Sequence, residues 1–406
     1  MTGFNPLQAL LAATLAASGA AAHAQISDNV VRIGVMADMS GPYAANGGPG
    51  TALGVRMADE DFGGKVNGMP IEVLTADDQN KPDVGLNAAR HWIDVDKVDA
   101  IVGGSASSIA LGVNNLMRQA RKPYLISGTN TGDLTGKACS PMNFQFVMDS
   151  YSLPKSGVQV LLAQGIRTFY FITVDYAFGA ALQAEATRFI EAAGGKVLGS
   201  VKHPLGTNDF SSFLLQAQSS KAQAVVLLNS GSDLTTALKQ ANEFQMAKNG
   251  QIVTTLNITI NAVAAIGLDI AQGMQFADPF YWDRNDETRA WSKRFMARNK
   301  GVAPTFFMAG GYSATMHYLK AVAAAGTDEG GAVAAKMKAT PVNDFSMKNV
   351  AIREDGQVMR PMYAMTIKSP AESRGPWDYY KPGAEIPAAQ LWRPLAEGGC
   401  EFVKGK

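Results

Sequence analysis

The chain is poor in the residues that carry out chemistry. Its 406 residues include four histidines and two cysteines, and charged residues make up only 17%, against roughly 25% in an average soluble domain. Lys and Arg number 36 against 35 Asp and Glu, a formal net charge of +1. That balance lacks the basic footprint of a nucleic-acid binder. His91, His203 and His317 have no His or Cys at ligand spacing, and two cysteines cannot build an all-Cys site, so no zinc centre is expected. No G-x-S-x-G elbow occurs, since Gly311-Tyr312-Ser313-Ala314-Thr315 lacks the second glycine. A G-x-x-x-x-G-K-S/T phosphate loop is also missing. The glycines of Gly47-Gly48-Pro49-Gly50 and Gly54 do not have dinucleotide-loop spacing, and Pro49 removes an amide that could cradle phosphate. Asp77-Asp78 is not accompanied by a second acidic pair, so capping or solvation is expected of it rather than acid–base work. No catalytic residue, metal or cofactor is expected. The chain looks built to bind rather than to react.

What is present points to two domains and export. A length of 406 residues fits two units, each large enough for its own core. Leu7 to Ala22 is an apolar, Ala-rich run ending in Ala22-His23-Ala24-Gln25. Small residues at −3 and −1 relative to a cut after Ala24 suit a secretory signal over residues 1–24, although no Lys or Arg precedes the run. Export implies oxidising conditions. Cys139 and Cys400 both sit in polar, turn-rich surroundings, where free cysteines are uncommon. A disulfide between them is expected, tying the C-terminal tail to the body and contributing about 4–5 kcal/mol.

From residue 30, β-rich runs alternate with helical patterns. Strands are expected at Val30–Ala37, Pro70–Ala76, Ala100–Gly103 and Pro123–Ser127, then at Thr168–Val174, Lys196–Val201, Ala224–Leu228 and Gln251–Thr255. Several are continuous apolar runs, as in strands covered on both faces. The intervening helices, such as Asp83–Val95 and Ala177–Ala193, imply βαβ units and parallel sheets. The fold class is α/β, with two doubly wound Rossmann-like groups of four strands on either side of Tyr151. Consecutive helices follow over 286–340, then a hairpin pattern around Glu354-Asp355-Gly356 within Phe345–Ile367. A Pro/Gly-rich tail over 370–399 is expected to wrap the surface.

The opening Ile33-Gly34-Val35, then Ser40-Gly41-Pro42-Tyr43-Ala44, Gly47 and Gly54-Val55-Arg56-Met57-Ala58, resembles type I periplasmic solute-binding proteins of the Leu/Ile/Val-binding group. Asp77-Asp78-Gln79, the Val102–Ser107 run, Asp175–Gly179, Asn208–Ser212 and Lys239-Gln240-Ala241 continue the likeness over residues 30–370. The resemblance implies two lobes that close over a solute by hinge motion. Lobe one would be 28–147 plus 279–362 and lobe two 148–278 plus 363–406, with crossings near 146–150, 277–280 and 361–364. It further implies a periplasmic receptor, a monomer, that delivers a small-molecule solute to an ABC permease in the membrane.

Ligands of open α/β sheets sit beyond the carboxyl ends of the strands. On the first lobe these are Ser107 and Ser108, opening a helix, and Thr129, Asn130 and Thr131. In the family, Ser107, Thr129 and Thr131 match positions that hold a ligand carboxylate. On the second lobe stand Tyr151, Tyr176, Phe178, Asn229, Ser230 and Asn257, while Tyr43, Phe280 and Tyr281 complete an aromatic wall. Leu/Ile/Val binders carry an acidic residue at the position matching Asn257, to neutralise the ligand ammonium, and a tyrosine at Ser230. Without that acid a buried ammonium is costly. A small carboxylate, favoured as an aromatic acid, is therefore expected, with a branched-chain amino acid as the alternative. A periplasmic sensor feeding a signalling partner is the alternative of another class.

Overall fold

A computed structural model describes residues 25–403. The expected signal segment, residues 1–24, lies outside the described residues. Beyond it, β1 (Val31–Ala37), β2 (Lys65–Val66), β3 (Met69–Asp77), β4 (Ala100–Gly103), β5 (Tyr124–Ile126) and β6 (Asn143–Gln145) form one sheet in the order β2-β3-β1-β4-β5-β6. Its pairings are parallel, apart from the short β2–β3 hairpin. A second parallel sheet, ordered β10-β9-β7-β8, holds β7 (Thr168–Val174), β8 (Lys196–His203), β9 (Ala224–Leu228) and β10 (Ile252–Thr255). Both sheets are doubly wound. In the first the order turns back at β1, which is flanked by β3 and β4, and in the second at β7, between β8 and β9.

The eight expected strands are all present, within one or two residues at most ends, because their runs are apolar enough to be buried on both faces. β9, Ala-Val-Val-Leu-Leu, is buried throughout. The expected helices also form. Gly194, at φ 75°, ends helix Ala177–Ala192, and the Gly195 amide returns to the Ile190 carbonyl at 2.9 Å. The helix expected over 83–95 is α-helical only over Pro82–His91 and continues as a π turn over Trp92–Asp96.

Five strands go beyond the eight expected, and two of them, β2 and β6, widen the first sheet from four strands to six. β11 (Gln275–Asp278), β12 (Met362–Ile367) and β13 (Tyr380–Ile386) make a small antiparallel sheet. The tail is therefore not simply a wrap, since β13 runs through Pro382 and Gly383 as an edge strand, where proline is tolerated. The expected hairpin also divides. Its turn at Glu354-Asp355-Gly356 is present, with Ile352 bridged to Val358, but β12 pairs with β11 and β13 instead. Phe276, Met365, Ile367 and Tyr380 of this third sheet share a core with Ile172 and Leu227 of the second.

Helix Phe306–Ala325 is buried along most of its length and packs on helix Gly48–Phe62. Side chains from both sides of the molecule meet in one core, where Met57 and Phe307 join Phe178 and Leu256. The expected disulfide is formed: Cys139 and Cys400, 261 residues apart, have Cα atoms separated by 5.5 Å. Arg360 is buried between three segments. Its guanidinium donates to the Phe146 and Pro279 carbonyls at 3.4 and 2.7 Å, and its own carbonyl accepts the Trp392 indole at 3.0 Å.

Candidate ligand cleft

The carboxyl ends of the two sheets face each other across a cavity. Ala37 and Asp38 reach it from the end of β1, Gly103, Gly104, Ser105 and Ser107 from β4, and Gly128, Thr129 and Asn130 from β5. From the other side come Tyr176 and Phe178 after β7, Ser230 after β9 and Asn257 after β10. Tyr43, Asn46, Gly47, Gly48 and Thr51 cover it from the loop and helix after β1, and Phe307 closes one wall. Gly103 and Gly104 turn the chain from β4 into the cleft at φ 107° and 91°. A Cβ on Gly103 would stand 2.1 Å from the Met36 carbonyl oxygen. No other residue type fits that turn.

The two halves touch directly over the cavity. The hydroxyls of Tyr43 and Tyr176 share a hydrogen bond of 2.5 Å. Asn46 Nδ2 donates to Ser230 Oγ at 3.0 Å, and Asn261 Nδ2 donates to the Ala45 carbonyl at 2.9 Å. The Ser232 amide donates to the Pro42 carbonyl at 3.1 Å. The loop making these contacts is organised by Asp38, whose carboxylate accepts the amides of Gly41 and Tyr43 at 2.5 and 2.8 Å. The conformation is closed.

Among the described residues the lining is neutral apart from Asp38, with no lysine, arginine or histidine. Burial pushes the phenols of Tyr43 and Tyr176 well up, so both stay protonated. Four lining polar atoms are buried without a hydrogen-bond partner among the described residues: Thr51 Oγ1, Ser107 Oγ, and both Oδ1 and Nδ2 of Asn257. Ser107 and Asn257 are only 1% and 3% exposed. Buried polar groups are rarely left unpaired without a reason.

Of the residues singled out in the sequence, Tyr43, Ser107, Thr129, Asn130, Tyr176, Phe178, Ser230 and Asn257 converge on the cavity. The other six are placed elsewhere by packing. Ser108 is exposed, since the next residue along the helix turns away from the face Ser107 presents. Thr131 caps a 3-10 turn, its hydroxyl accepting the Asp133 amide at 3.4 Å. The Tyr151 ring lies 5.0 Å from the Arg393 guanidinium and edge-on to Phe189, which holds it away from the cleft. Asn229 donates to Nε2 of buried His203 at 3.1 Å. Phe280 packs edge-on to Trp291 and Phe345, and Tyr281 packs against Tyr380. The aromatic wall is thus smaller than expected, and Phe307 belongs to it.

Phe307, Thr51 and Asn46 were missed. Thr51 and Asn46 lie beside the glycines after β1, in a run with no local signal for a solute contact. Phe307 stands in a helix whose pattern marks only a core.

A two-lobed α/β fold closed over a buried cleft defines a solute-binding protein, and the chain belongs to the periplasmic binding protein family, whose model matches residues 30–375. The family is one of binding proteins rather than enzymes, located in the periplasm. Among solved structures, a periplasmic binding protein from Burkholderia mallei is 43% identical, with a TM-score of 0.90, and the match covers 93% of this chain and 100% of that one. A branched chain amino acid ABC transporter periplasmic ligand-binding protein from Burkholderia xenovorans is 38% identical, with a TM-score of 0.81, over 92% and 99% of the two chains. Among curated relatives, Leu/Ile/Val-binding protein homolog 6 of Brucella abortus is 28% identical over 220 residues. The chain spans about half the length of such relatives, 54% in this case.

Proposed function

We propose that this protein is the extracytoplasmic receptor of an ABC importer, capturing a small organic acid with a flat apolar body by closure of its lobes. The observation that carries the reading is the cavity itself. It combines the rings of Tyr43, Tyr176, Phe178 and Phe307 with buried hydroxyl and amide groups that lack partners. Aromatic walls with a few placed polar groups suit stacking plus oriented hydrogen bonds.

The carboxylate end belongs on the first lobe. Ser107 Oγ stands at the start of helix Ser107–Gln119, whose first amides have no intrahelical acceptor and favour an anion. Thr129 and Thr51 line the same cavity. Tyr43, Tyr176, Phe178 and Phe307 hold the body, while Asn130, Ser230 and Asn257 complete the contacts. An α-ammonium has a poorer place. The lone acidic residue of the lining, Asp38, is committed to the amides of Gly41 and Tyr43, and a buried cation without a partner costs several kcal/mol.

The lobes divide as residues 28–147 plus 279–362 and 148–278 plus 363–406, hinging where Arg360 gathers Phe146 and Pro279. The receptor acts as a monomer that presents its closed form to the permease. A thermal-shift screen of residues 25–406 against aromatic acids, aliphatic carboxylates and branched-chain amino acids tests the reading. A ligand at 100 times its Kd stabilises the fold by about 2.7 kcal/mol. A shift with aromatic acids and none with leucine is expected. A shift with leucine alone would overturn the assignment and favour the branched-chain reading that the Burkholderia xenovorans relative's name carries.

A further inference from the structure

Asn257 is the most under-satisfied side chain of the cleft. It is 3% exposed, lines the cavity, and neither its Oδ1 nor its Nδ2 has a partner. The turn around it is already served. The Asn257 amide donates to Thr255 Oγ1 at 3.3 Å, and that hydroxyl donates in turn to the Asn257 carbonyl at 3.5 Å. The side-chain amide is therefore spare, and exchanging its oxygen and nitrogen changes nothing, since both are unpaired. Nearby Ser230 Oγ already accepts from Asn46. Ser107, the carboxylate position, follows β4 of the first sheet and Asn257 follows β10 of the second, so the two orphans come from opposite lobes.

A buried carboxamide in the wall of a cavity needs both an acceptor and a donor. A ligand carboxylate only accepts: it would pair Nδ2 and leave Oδ1 facing an anion. An ammonium only donates and would leave Nδ2 unpaired. A methyl group satisfies neither atom. A hydroxyl does both with one oxygen, giving its proton to Oδ1 and accepting from Nδ2. Building on the aromatic-acid reading above, we infer that Asn257 is a specificity residue for a ring hydroxyl, and that the solute is a hydroxylated aromatic monocarboxylate. The same accounting excludes dicarboxylates, because no cation lines the cavity to balance a second negative charge.

Isothermal titration of the full mature chain with benzoate, 3-hydroxybenzoate, 4-hydroxybenzoate, 4-methylbenzoate and terephthalate tests this. At least one hydroxybenzoate should bind about tenfold or more tighter than benzoate, since leaving a buried polar group unpaired costs that much or more. In Asn257→Leu, which is similar in size and apolar, the ratio of hydroxybenzoate to benzoate affinity should fall to about one, and 4-methylbenzoate should gain relative to benzoate. Hydroxybenzoates no tighter than benzoate in the unmodified protein would overturn the inference, as would a preference that survives Asn257→Leu. Should Asn257→Leu unfold, the ligand series on the unmodified protein decides alone. Benzoate binding without a hydroxyl preference sinks only this inference. No binding of any benzoate, with leucine bound, sinks the aromatic-acid reading beneath it.

Discussion

Gly231→Ala should block closure while leaving both lobes folded. Gly231 opens helix Gly231–Glu243 at φ 62°, and an added Cβ would stand 2.2 Å from the Pro42 carbonyl oxygen and 2.7 Å from Cδ1 of Tyr43. Both atoms belong to the opposite lobe, so the clash exists only in the closed form. Relieving it means withdrawing the loop over 42–46. That sacrifices the Ser232–Pro42 bond first, then those of Tyr43 with Tyr176 and Asn46 with Ser230. At about 1 kcal/mol net for each bond, partial to complete loss weakens closure by about 1–3 kcal/mol. That is about a 5- to 140-fold loss of ligand affinity. The folding penalty is separate, about 1–2 kcal/mol for a Cβ in the left-handed region. Titration calorimetry gives the affinity, small-angle scattering the ligand-induced compaction, and urea unfolding of the ligand-free protein the folding term. An alanine variant that binds within about threefold of the unmodified protein and compacts equally would refute the reasoning.

Three further perturbations are open to test. Cys139→Ser with Cys400→Ser should lower unfolding free energy by about 4–5 kcal/mol, read by urea denaturation, because the bond closes a loop of 261 residues. Burial raises the carboxyl of Asp278 to about 7 and those of Asp99 and Asp233 to about 6. These groups bind protons more tightly folded than unfolded, so their contribution is full at acid pH and is lost as pH rises towards 7. Raising the pH from 5 to 7.5 should therefore cost the unmodified protein more urea midpoint, or gain it less, than it does Asp278→Asn, which keeps an oxygen for the Phe280 amide. Ser107→Ala should weaken binding of an aromatic acid by about tenfold in titration calorimetry, with the melting temperature of the ligand-free protein unchanged or raised, since the hydroxyl has no partner in the protein.

The parallel strands were legible because burial on both faces writes itself as uninterrupted apolar residues, as in Ala224–Leu228. β13 was hidden because an edge strand with one exposed side can carry Pro382 and Gly383 without a hydrophobic signature. The cleft was partly legible for a topological reason. Ser107, Thr129, Tyr176, Ser230 and Asn257 follow parallel strands, whose carboxyl ends line the crevice in any doubly wound sheet. Tyr151 and Phe280 were drawn in by residue type alone. Nothing local reveals that Arg393, from the far end of the chain, covers one ring, or that Trp291 packs edge-on to the other.

The sequence by itself determined the α/β class, the strand–helix alternation, the absence of reactive motifs and the pairing partners of the two cysteines, since each follows from local pattern or composition. Tertiary structure decided which aromatics line the cleft and that Phe307 joins them. It also decided that Asn257 keeps both amide atoms unpaired. These are properties of contacts between residues some 30 to 270 positions apart, and such contacts exist only once two sheets have been folded and brought face to face.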